Sequence, residues 1–151
     1  MANFAKEPIR NCSDLKEFES KMSLNQRLPE QGILDIFKTS GELYPTSNAL
    51  TMLMTGAEDQ QPRRVRYPAL LRMIHRAANL FSRLGGSAPG VAYMLPSLIE
   101  THVTLWGAEK AGYAVPINFL LQPESIAKLI KASGANILVV LGPHPQLDIW
   151  Q

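Results

Sequence analysis

The stretch from residue 91 to residue 142 constrains the fold of this chain more than any other part of the sequence. Three apolar segments, at 91–95, 113–117 and 137–141, alternate there with two helical patterns. The order strand, helix, strand, helix, strand is typical of a parallel sheet whose strands are joined by crossover helices. The sequence therefore predicts an α/β fold with a partial doubly wound parallel sheet.

Both crossover helices carry start and stop signals. Ser97 is predicted to cap the first helix, with the carboxylate of Glu100 returning to the Ser97 backbone, and Gly112 ends it. The second helix is predicted to open at Pro123 and to close at Gly134. These signals separate the two helices cleanly from the strands around them.

The last apolar segment, residues 137–141, contains no polar residue. A strand with one face in water alternates apolar and polar residues, whereas a strand covered on both faces is apolar throughout. We therefore expect cover on both faces of this strand. Residues 142–145 break the chain, and 147–151 have the pattern of a further element.

The first half of the chain predicts a short antiparallel hairpin preceded by peripheral N-terminal helices. Residues 48–55 and 63–67 flank a polar, turn-rich stretch. A long helix is expected to follow from Pro68 to Gly85, with its apolar stripe at Leu70, Ile74, Ala77, Phe81 and Leu84. Of the peripheral helices, one is predicted to be capped by Asp14, and the other to begin near Pro29 and end at Gly41.

Composition excludes several classes of protein. With 46% hydrophobic and 19% charged residues, the 151-residue chain has the composition of a soluble globular domain. No apolar run reaches the roughly 20 residues that span a bilayer, so membrane contact is at most peripheral. A net charge of +2 is too small to indicate nucleic acid. The basic cluster of residues 63–66 is interpreted as a solvated strand edge, and Arg72, Arg76 and Arg83 as a solvated helix face.

Cysteine and histidine usage argues against a metal site. Cys12 is the sole cysteine, which excludes an internal disulfide and a cysteine-rich zinc site and fits a cytoplasmic protein. The first residues also lack the apolar core of a secretion signal. His75, His102 and His144 have no spacing that places two of them on one helix face. We expect no metal.

Catalytic signatures are also missing from the sequence. There is no glycine-rich phosphate loop followed by lysine, and residues 85–90 lack the spacing of a dinucleotide fingerprint. The hydroxyls of Thr39 and Ser40 before Gly41 suggest an anion nest, but Glu42 places a negative charge there. We interpret that segment as a helix end, and no catalytic residue is nominated.

Several short segments, spread over residues 28–151, together resemble the N-terminal part of AMP-forming acyl-CoA synthetases, within the adenylate-forming superfamily. They include Tyr44-Pro45, the 77–80 segment Ala-Ala-Asn-Leu, the 95–102 segment Leu-Pro-Ser-Leu-Ile-Glu-Thr-His and the 111–118 segment Ala-Gly-Tyr-Ala-Val-Pro-Ile-Asn. Two departures lie in turns: Ala88-Pro89-Gly90 replaces a common Gly-Asp-Arg, and Ser97 replaces a common asparagine. Neither changes the expected fold.

The resemblance implies a domain organisation and a reaction. Residues 1–27 would form a helical extension, and 28–151 the truncated first part of the large N-terminal domain of a synthetase. The full-length parent would use ATP, Mg and CoA to adenylate a fatty or other carboxylic acid and then form the CoA thioester. Its Ser/Thr/Gly-rich phosphate loop with Pro-Lys lies downstream in the family and is missing here, so we expect no cofactor in this chain and no activity from it alone.

The resemblance also nominates binding residues and partners. In family members that bind CoA, the loop after the strand equivalent to residues 115–117 approaches the nucleotide end of CoA, which nominates Asn118 and Phe119. The expected partner is the remainder of the synthetase, or another copy of the chain through exposed sheet.

Two alternatives remain open from the residues alone. One is a complete small α/β domain that binds a ligand or partner without catalysis, at the carboxyl ends of its strands near Pro96 and Asn118. The other is an interaction module that uses exposed sheet surface.

Overall fold

Five helices and five strands occur within residues 8–23, 26 and 32–142, which are the residues that the computed structural model describes. The helices are α1 (Cys12–Ser20), α2 (Ile33–Leu43), α3 (Tyr67–Gly85), α4 (Ile99–Ala111) and α5 (Pro123–Ser133); the strands are β1 (Asn48–Met52), β2 (Arg63–Arg66), β3 (Gly90–Met94), β4 (Tyr113–Pro116) and β5 (Ile137–Val140). Contacts divide the chain into two units, one ending at Ile36 and one beginning at Phe37. The predicted domain boundary at residues 27 and 28 involves positions outside the described residues and stays a prediction.

Strands β3, β4 and β5 form the predicted parallel sheet, in the order β4-β3-β5. Val91 in the central strand pairs with Ala114 on one side and with Ile137 on the other. The chain thus moves from β3 to β4 and then crosses back over β3 to reach β5. Right-handed crossovers in opposite directions place their helices on opposite faces of the sheet, which gives the doubly wound arrangement.

The two faces of the sheet are covered by different helices. On one face, Val91 packs with Phe81 of α3 and Ala108 of α4 in the hydrophobic core. Tyr113 follows the opposite face, since side chains alternate along a strand, and its hydroxyl donates to the carbonyl of Ser133 at the end of α5 over 3.0 Å. Gly134 ends α5 in a left-handed conformation with φ of 69°, as predicted.

Helix α3 supplies much of the core. It starts with a proline in its first turn and buries Leu70, Ile74, Ala78 and Phe81. The predicted stripe is wrong at its end, because Leu84 is 67% exposed. At 100° per residue, Leu84 lies about 60° around the helix from the buried Phe81 and so falls outside the buried face.

The predicted hairpin is present and is shorter than expected. Strands β1 and β2 pair in antiparallel register, with an irregularity between Asn48 and Leu50. Val65 is buried, whereas Arg64 and Arg66 are exposed on the other face of β2. This alternation confirms the interpretation of residues 63–66 as a solvated strand.

Two helix boundaries differ from the predictions. Helix α1 is capped by Asn11, whose side chain accepts from the backbone N–H groups of Ser13 and Asp14, so the prediction of Asp14 as the cap is wrong. Asp14 already lies in the first turn, and its carboxylate accepts from the backbone N–H of Arg10 over 2.9 Å. Either residue type caps a helix, and only the backbone path decides between them.

Helix α2 continues through Gly41, which was predicted to end it. The backbone N–H of Tyr44 still donates to the carbonyl of Ser40 over 2.8 Å, so the helical hydrogen bonding extends past the glycine. A glycine inside a helix costs about 1 kcal/mol relative to alanine, which packing of the helix can offset. Thr39 and Ser40 therefore lie within a helix, and no anion nest forms. The predicted start at Pro29 lies outside the described residues.

Strand β5 lies at one edge of the sheet and is less covered than its sequence predicts. Its side chains are partly buried except for Leu138, which is 47% exposed. Among the described residues, the cover expected on both faces is incomplete. The further element predicted at 147–151 lies outside the described part of the chain.

Candidate functional site

The carboxyl ends of β3 and β4 are the place in this fold where a ligand site is expected. These strands are neighbours, the helices that follow them lie on opposite faces of the sheet, and doubly wound folds bind their ligands beyond the carboxyl ends of the strands. The backbone N–H of Ile117 donates to the carbonyl of Tyr93 over 3.0 Å and holds the two strand ends together. The loops at residues 95–98 and 117–122 therefore leave the same edge of the sheet side by side, and they contain Pro96 and Asn118.

Thr101 fixes the first loop, in place of the predicted Ser97. Its hydroxyl donates to the carbonyl of Pro96 and accepts from the backbone N–H of Leu98 over 3.3 Å. Helix α4 begins one residue later than predicted, with Leu98 at the cap position. The prediction of a capping box between Ser97 and Glu100 is therefore wrong.

The Glu100 carboxylate has a different partner. It accepts from Arg63 Nη1 over 2.8 Å and joins the start of α4 to strand β2 of the hairpin. The sequence pattern assigned the Glu100 carboxylate to a local cap. In the structure this carboxylate instead binds a residue that is 37 positions away in the sequence.

The second loop holds the two nominated residues. The side-chain oxygen of Asn118 accepts from the backbone N–H of Leu120 over 2.9 Å, so it stabilises the turn itself. Phe119 is 42% exposed, and it is followed by the exposed Leu120 and Leu121. Three consecutive exposed apolar side chains are unusual for a plain turn, and only Phe119 among them was nominated from the sequence. The role of Asn118 and Phe119 at CoA stays a prediction.

A small cavity lies between the hairpin and the start of α4. It has a volume of about 70 Å³, and Ser97, Thr51 and His102 contribute to its lining. Ligand pockets in proteins typically measure about 300–1,000 Å³, so this cavity is too small for a substrate. No hydrogen bond joins Ser97 to His102 among the described residues, and the pair does not have the geometry of a nucleophile and its base.

Tyr93 is a feature of the sheet that the sequence did not reveal. It is buried in the central strand at 8% exposure. Burial, with a smaller contribution from the negative charge of Glu109, raises the pKa of the Tyr93 phenol above its ordinary value of 10.0. Its hydroxyl stays protonated at neutral pH and can act there only as a hydrogen-bonding group.

Neither the loop at residues 95–98 nor the loop at 117–122 contains a cysteine or a histidine. Cys12 is an exposed free thiol on α1, and His75 is exposed on α3. Within residues 8–23, 26 and 32–142, no three His, Cys, Asp or Glu side chains form a group that could hold a metal ion. None of the helices in that part of the chain is both long and apolar enough to cross a membrane. His144 lies outside the described residues.

The fold defines the class of protein that this chain resembles. A fatty acid AMP ligase from Legionella pneumophila superposes with a TM-score of 0.63 at 16% identity, over 72% of this chain and 19% of that one. A fatty acyl-CoA synthetase from Mycobacterium tuberculosis superposes with a TM-score of 0.58 at 24% identity, over 72% of this chain and 21% of that one. The chain therefore has the fold of the N-terminal domain of adenylate-forming enzymes.

Sequence comparison agrees with the fold. The chain is 33% identical over 146 residues to a marinolic acid–CoA ligase from Pseudoalteromonas sp. (strain SANK 73390), and the match covers 96% of this chain and 22% of the ligase. The chain thus spans about a fifth of the length of the relative that it matches. No family model matches the chain. The resemblance to adenylate-forming enzymes is confirmed, and both comparisons are consistent with an N-terminal part of such an enzyme.

Proposed function

We propose that this chain is the N-terminal part of an AMP-forming acyl-CoA ligase and supplies a structural portion of its large domain. The observation that carries the proposal is the 33% identity to a CoA ligase over 96% of the chain. A cytoplasmic location belongs to the same proposal and is supported by the single, unpaired Cys12.

The reaction of the whole enzyme would have two steps. A carboxylate oxygen of the acid attacks the α-phosphorus of ATP, which forms an acyl-adenylate and releases pyrophosphate. The CoA thiol, as it loses its proton, then attacks the acyl carbonyl carbon, and AMP leaves with the electrons of the broken bond. Carboxylic acid, ATP with Mg, and CoA are thus the ligands proposed for the whole enzyme.

This chain alone is proposed to be inactive. Adenylation requires donors arranged in advance around the triphosphate, and the sequence contains no phosphate loop that could provide them. The loop after β4 offers Asn118, but its amide oxygen is already bonded to the Leu120 N–H. The proposed role of the chain is to position elements that the rest of the ligase completes.

Reading the gene past the codon for Gln151 tests this proposal against a non-catalytic α/β binding domain. The proposal predicts an in-frame continuation that encodes a Ser/Thr/Gly-rich loop with Pro-Lys. An immediate stop codon in the natural gene would favour the non-catalytic domain.

The exposed loop after β4 is proposed to contact CoA, chiefly through Phe119. This side chain is 42% exposed and follows directly on Asn118, which anchors the turn. In the ligase that contains this chain, we expect Phe119→Ala to raise the KM for CoA severalfold and to leave acid-dependent pyrophosphate exchange unchanged. Leu120→Ala, at the neighbouring exposed position, is the matched control. An unchanged KM for CoA in the Phe119 variant would contradict this role.

A further inference from the structure

An open apolar groove runs along the side of α3 that faces strand β5. Its volume is about 470 Å³, and it is lined mainly by Met73, Leu80 and Leu84 of α3, by Val103 and Thr104 of α4, and by β5. Leu80 and Leu84 are 49% and 67% exposed. Large apolar side chains gathered around one concavity are typical of a surface that another element covers.

A basic stripe borders this groove on α3. At 100° per residue, Arg72, Arg76 and Arg83 fall within an arc of about 40°, and Leu80 and Leu84 occupy the adjacent arc. All three arginines are exposed, and none of them forms an ion pair within the described residues. The stripe extends about 16 Å along the helix at 1.5 Å per residue.

The charged residues on the α3 side of the groove are all positive. Residues 60–99 contain six arginines and no aspartate or glutamate. Glu100, the acidic residue in the lining, is already bonded to Arg63. An occupant that brings acidic groups to the α3 side would therefore meet uncompensated positive charge.

Thr104 adds a polar point to the floor of the groove. It is only 6% exposed. Among the described residues, its hydroxyl neither donates nor accepts a hydrogen bond. A buried hydroxyl without a partner costs free energy, and an occupant with a hydrogen-bonding group at this point would remove that cost.

We infer that the groove between α3 and β5 is a docking site for an amphipathic α-helix with an apolar face and an acidic flank toward α3. A helix has a diameter of about 10 Å, and three turns match the length of the arginine stripe. Its apolar side chains would pack on Leu80, Leu84 and Val103, and its carboxylates would pair with the arginines. Two copies of this chain joined through the same groove would bring their basic stripes together, which disfavours a second copy as the occupant.

Two synthetic 18-residue helices test the inference against the full chain. They share one apolar face and carry either glutamate or lysine along the flank, and fluorescence anisotropy of a labelled peptide measures binding. The glutamate peptide is expected to bind at least tenfold more tightly than the lysine peptide, with affinity that falls as NaCl is raised from about 50 to 500 mM.

Variants of the groove locate the binding. The triple variant Arg72→Glu, Arg76→Glu and Arg83→Glu should weaken the glutamate peptide at least tenfold and strengthen the lysine peptide. Leu80→Gln with Leu84→Gln should weaken both peptides, and its exposed positions allow the chain to fold. Arg64→Glu with Arg66→Glu, on the outer face of the hairpin, is the charge-reversal control away from the groove and should have little effect.

Several results would overturn the inference. They are equal affinity for the two peptides, no binding of either, or binding that the groove variants leave unchanged. A dimer that Leu80→Gln with Leu84→Gln abolishes in sedimentation would assign the groove to a second copy. Binding to vesicles with 30% anionic lipid that depends on the α3 arginines, without binding of the glutamate peptide, would assign the stripe to a membrane surface.

Discussion

At the scale of single residues, Gly112 lies where two chain segments pass close to each other. A Cβ atom at this position would overlap the carbonyl oxygen of Pro89 and the backbone of Ala88. The obstructing atoms belong to the backbone, so no side-chain rotation relieves the overlap. The glycine therefore ends α4 and also allows β4 to start beside β3.

Gly112→Ala is expected to lower the free energy of unfolding by about 3 kcal/mol, the upper end of the usual cost of overpacking. Urea titration monitored by circular dichroism measures the change. Gly32→Ala is the control, because nothing lies within 4 Å of the position of its new Cβ, and it should change stability by less than about 0.5 kcal/mol. Equal stability of the two variants would show that the strands are not packed this closely.

Ionisation of Tyr93 is expected to lower the stability of the chain at alkaline pH. Its folded pKa is raised above 10.0 by burial and by Glu109, so the unfolded chain loses this proton first. The contribution to stability is complete below pH 10 and is lost as the pH rises through the folded pKa. Tyr93→Phe removes the titrating group, so we expect the difference in Tm between variant and wild type to grow in favour of the variant above pH 10.

Tyr113→Phe is the control for that measurement. It removes a hydroxyl that donates to the Ser133 carbonyl, which should cost about 1 kcal/mol at neutral pH. If the Tm of Tyr93→Phe and that of the wild type fall in parallel from pH 9 to 11.5, burial does not control the ionisation of Tyr93.

At the scale of elements, the Arg63–Glu100 ion pair joins the hairpin to α4. Both side chains are about half exposed, at 58% and 49%, and solvent weakens such a pair despite its 2.8 Å distance. A double-mutant cycle with Arg63→Ala and Glu100→Ala should give a coupling energy of about 0.5 kcal/mol that declines with salt.

Arg64→Ala provides the comparison, because Arg64 points to the outer face of β2 and should show no coupling to Glu100→Ala. A coupling energy above about 2 kcal/mol for Arg63 and Glu100 would mean that the pair is far less solvated than its exposure indicates.

The elements themselves could be predicted from the sequence, whereas their ends could not. Apolar stripes and end signals located α3, α4 and α5, continuous apolar segments located β3, β4 and β5, and the polar stretch between β1 and β2 located the hairpin. The prediction of Ser97 as a cap was wrong because Thr101, four residues later, forms hydrogen bonds with both Pro96 and Leu98. The prediction that Gly41 ends α2 was wrong because tertiary packing outweighs the cost of about 1 kcal/mol that a glycine adds inside a helix.

The candidate site follows from the strand order, which the sequence predicted, and its binding role stays a prediction. The order of strands and helices places the candidate site near Pro96 and Asn118, at the carboxyl ends of neighbouring strands. The bond between Asn118 and Leu120 is local, and an asparagine in a turn commonly forms it. The raised pKa of Tyr93 depends on three-dimensional contacts that no spacing in the sequence encodes. The groove beside β5 was missed for the same reason, although the all-apolar strand indicated a surface that requires cover.

At the scale of the whole molecule, the chain has a folded sheet and core together with surfaces that remain open. Leu138 on one face of β5 and Leu84 beside the groove are exposed, and the chain spans about a fifth of the ligase that it resembles. Both observations support the proposal that it contributes to a larger enzyme. Self-association through the exposed sheet, expected from the sequence, stays a prediction.

Pyrophosphate exchange tests the proposed function most directly. The 151-residue chain and the polypeptide that joins it to its in-frame continuation would each be incubated with ATP, Mg, labelled pyrophosphate and carboxylic acids of several chain lengths. We expect background exchange for the chain alone and acid-dependent exchange for the joined polypeptide. Acid-dependent exchange by the chain alone, or none by the joined polypeptide, would contradict the proposed function.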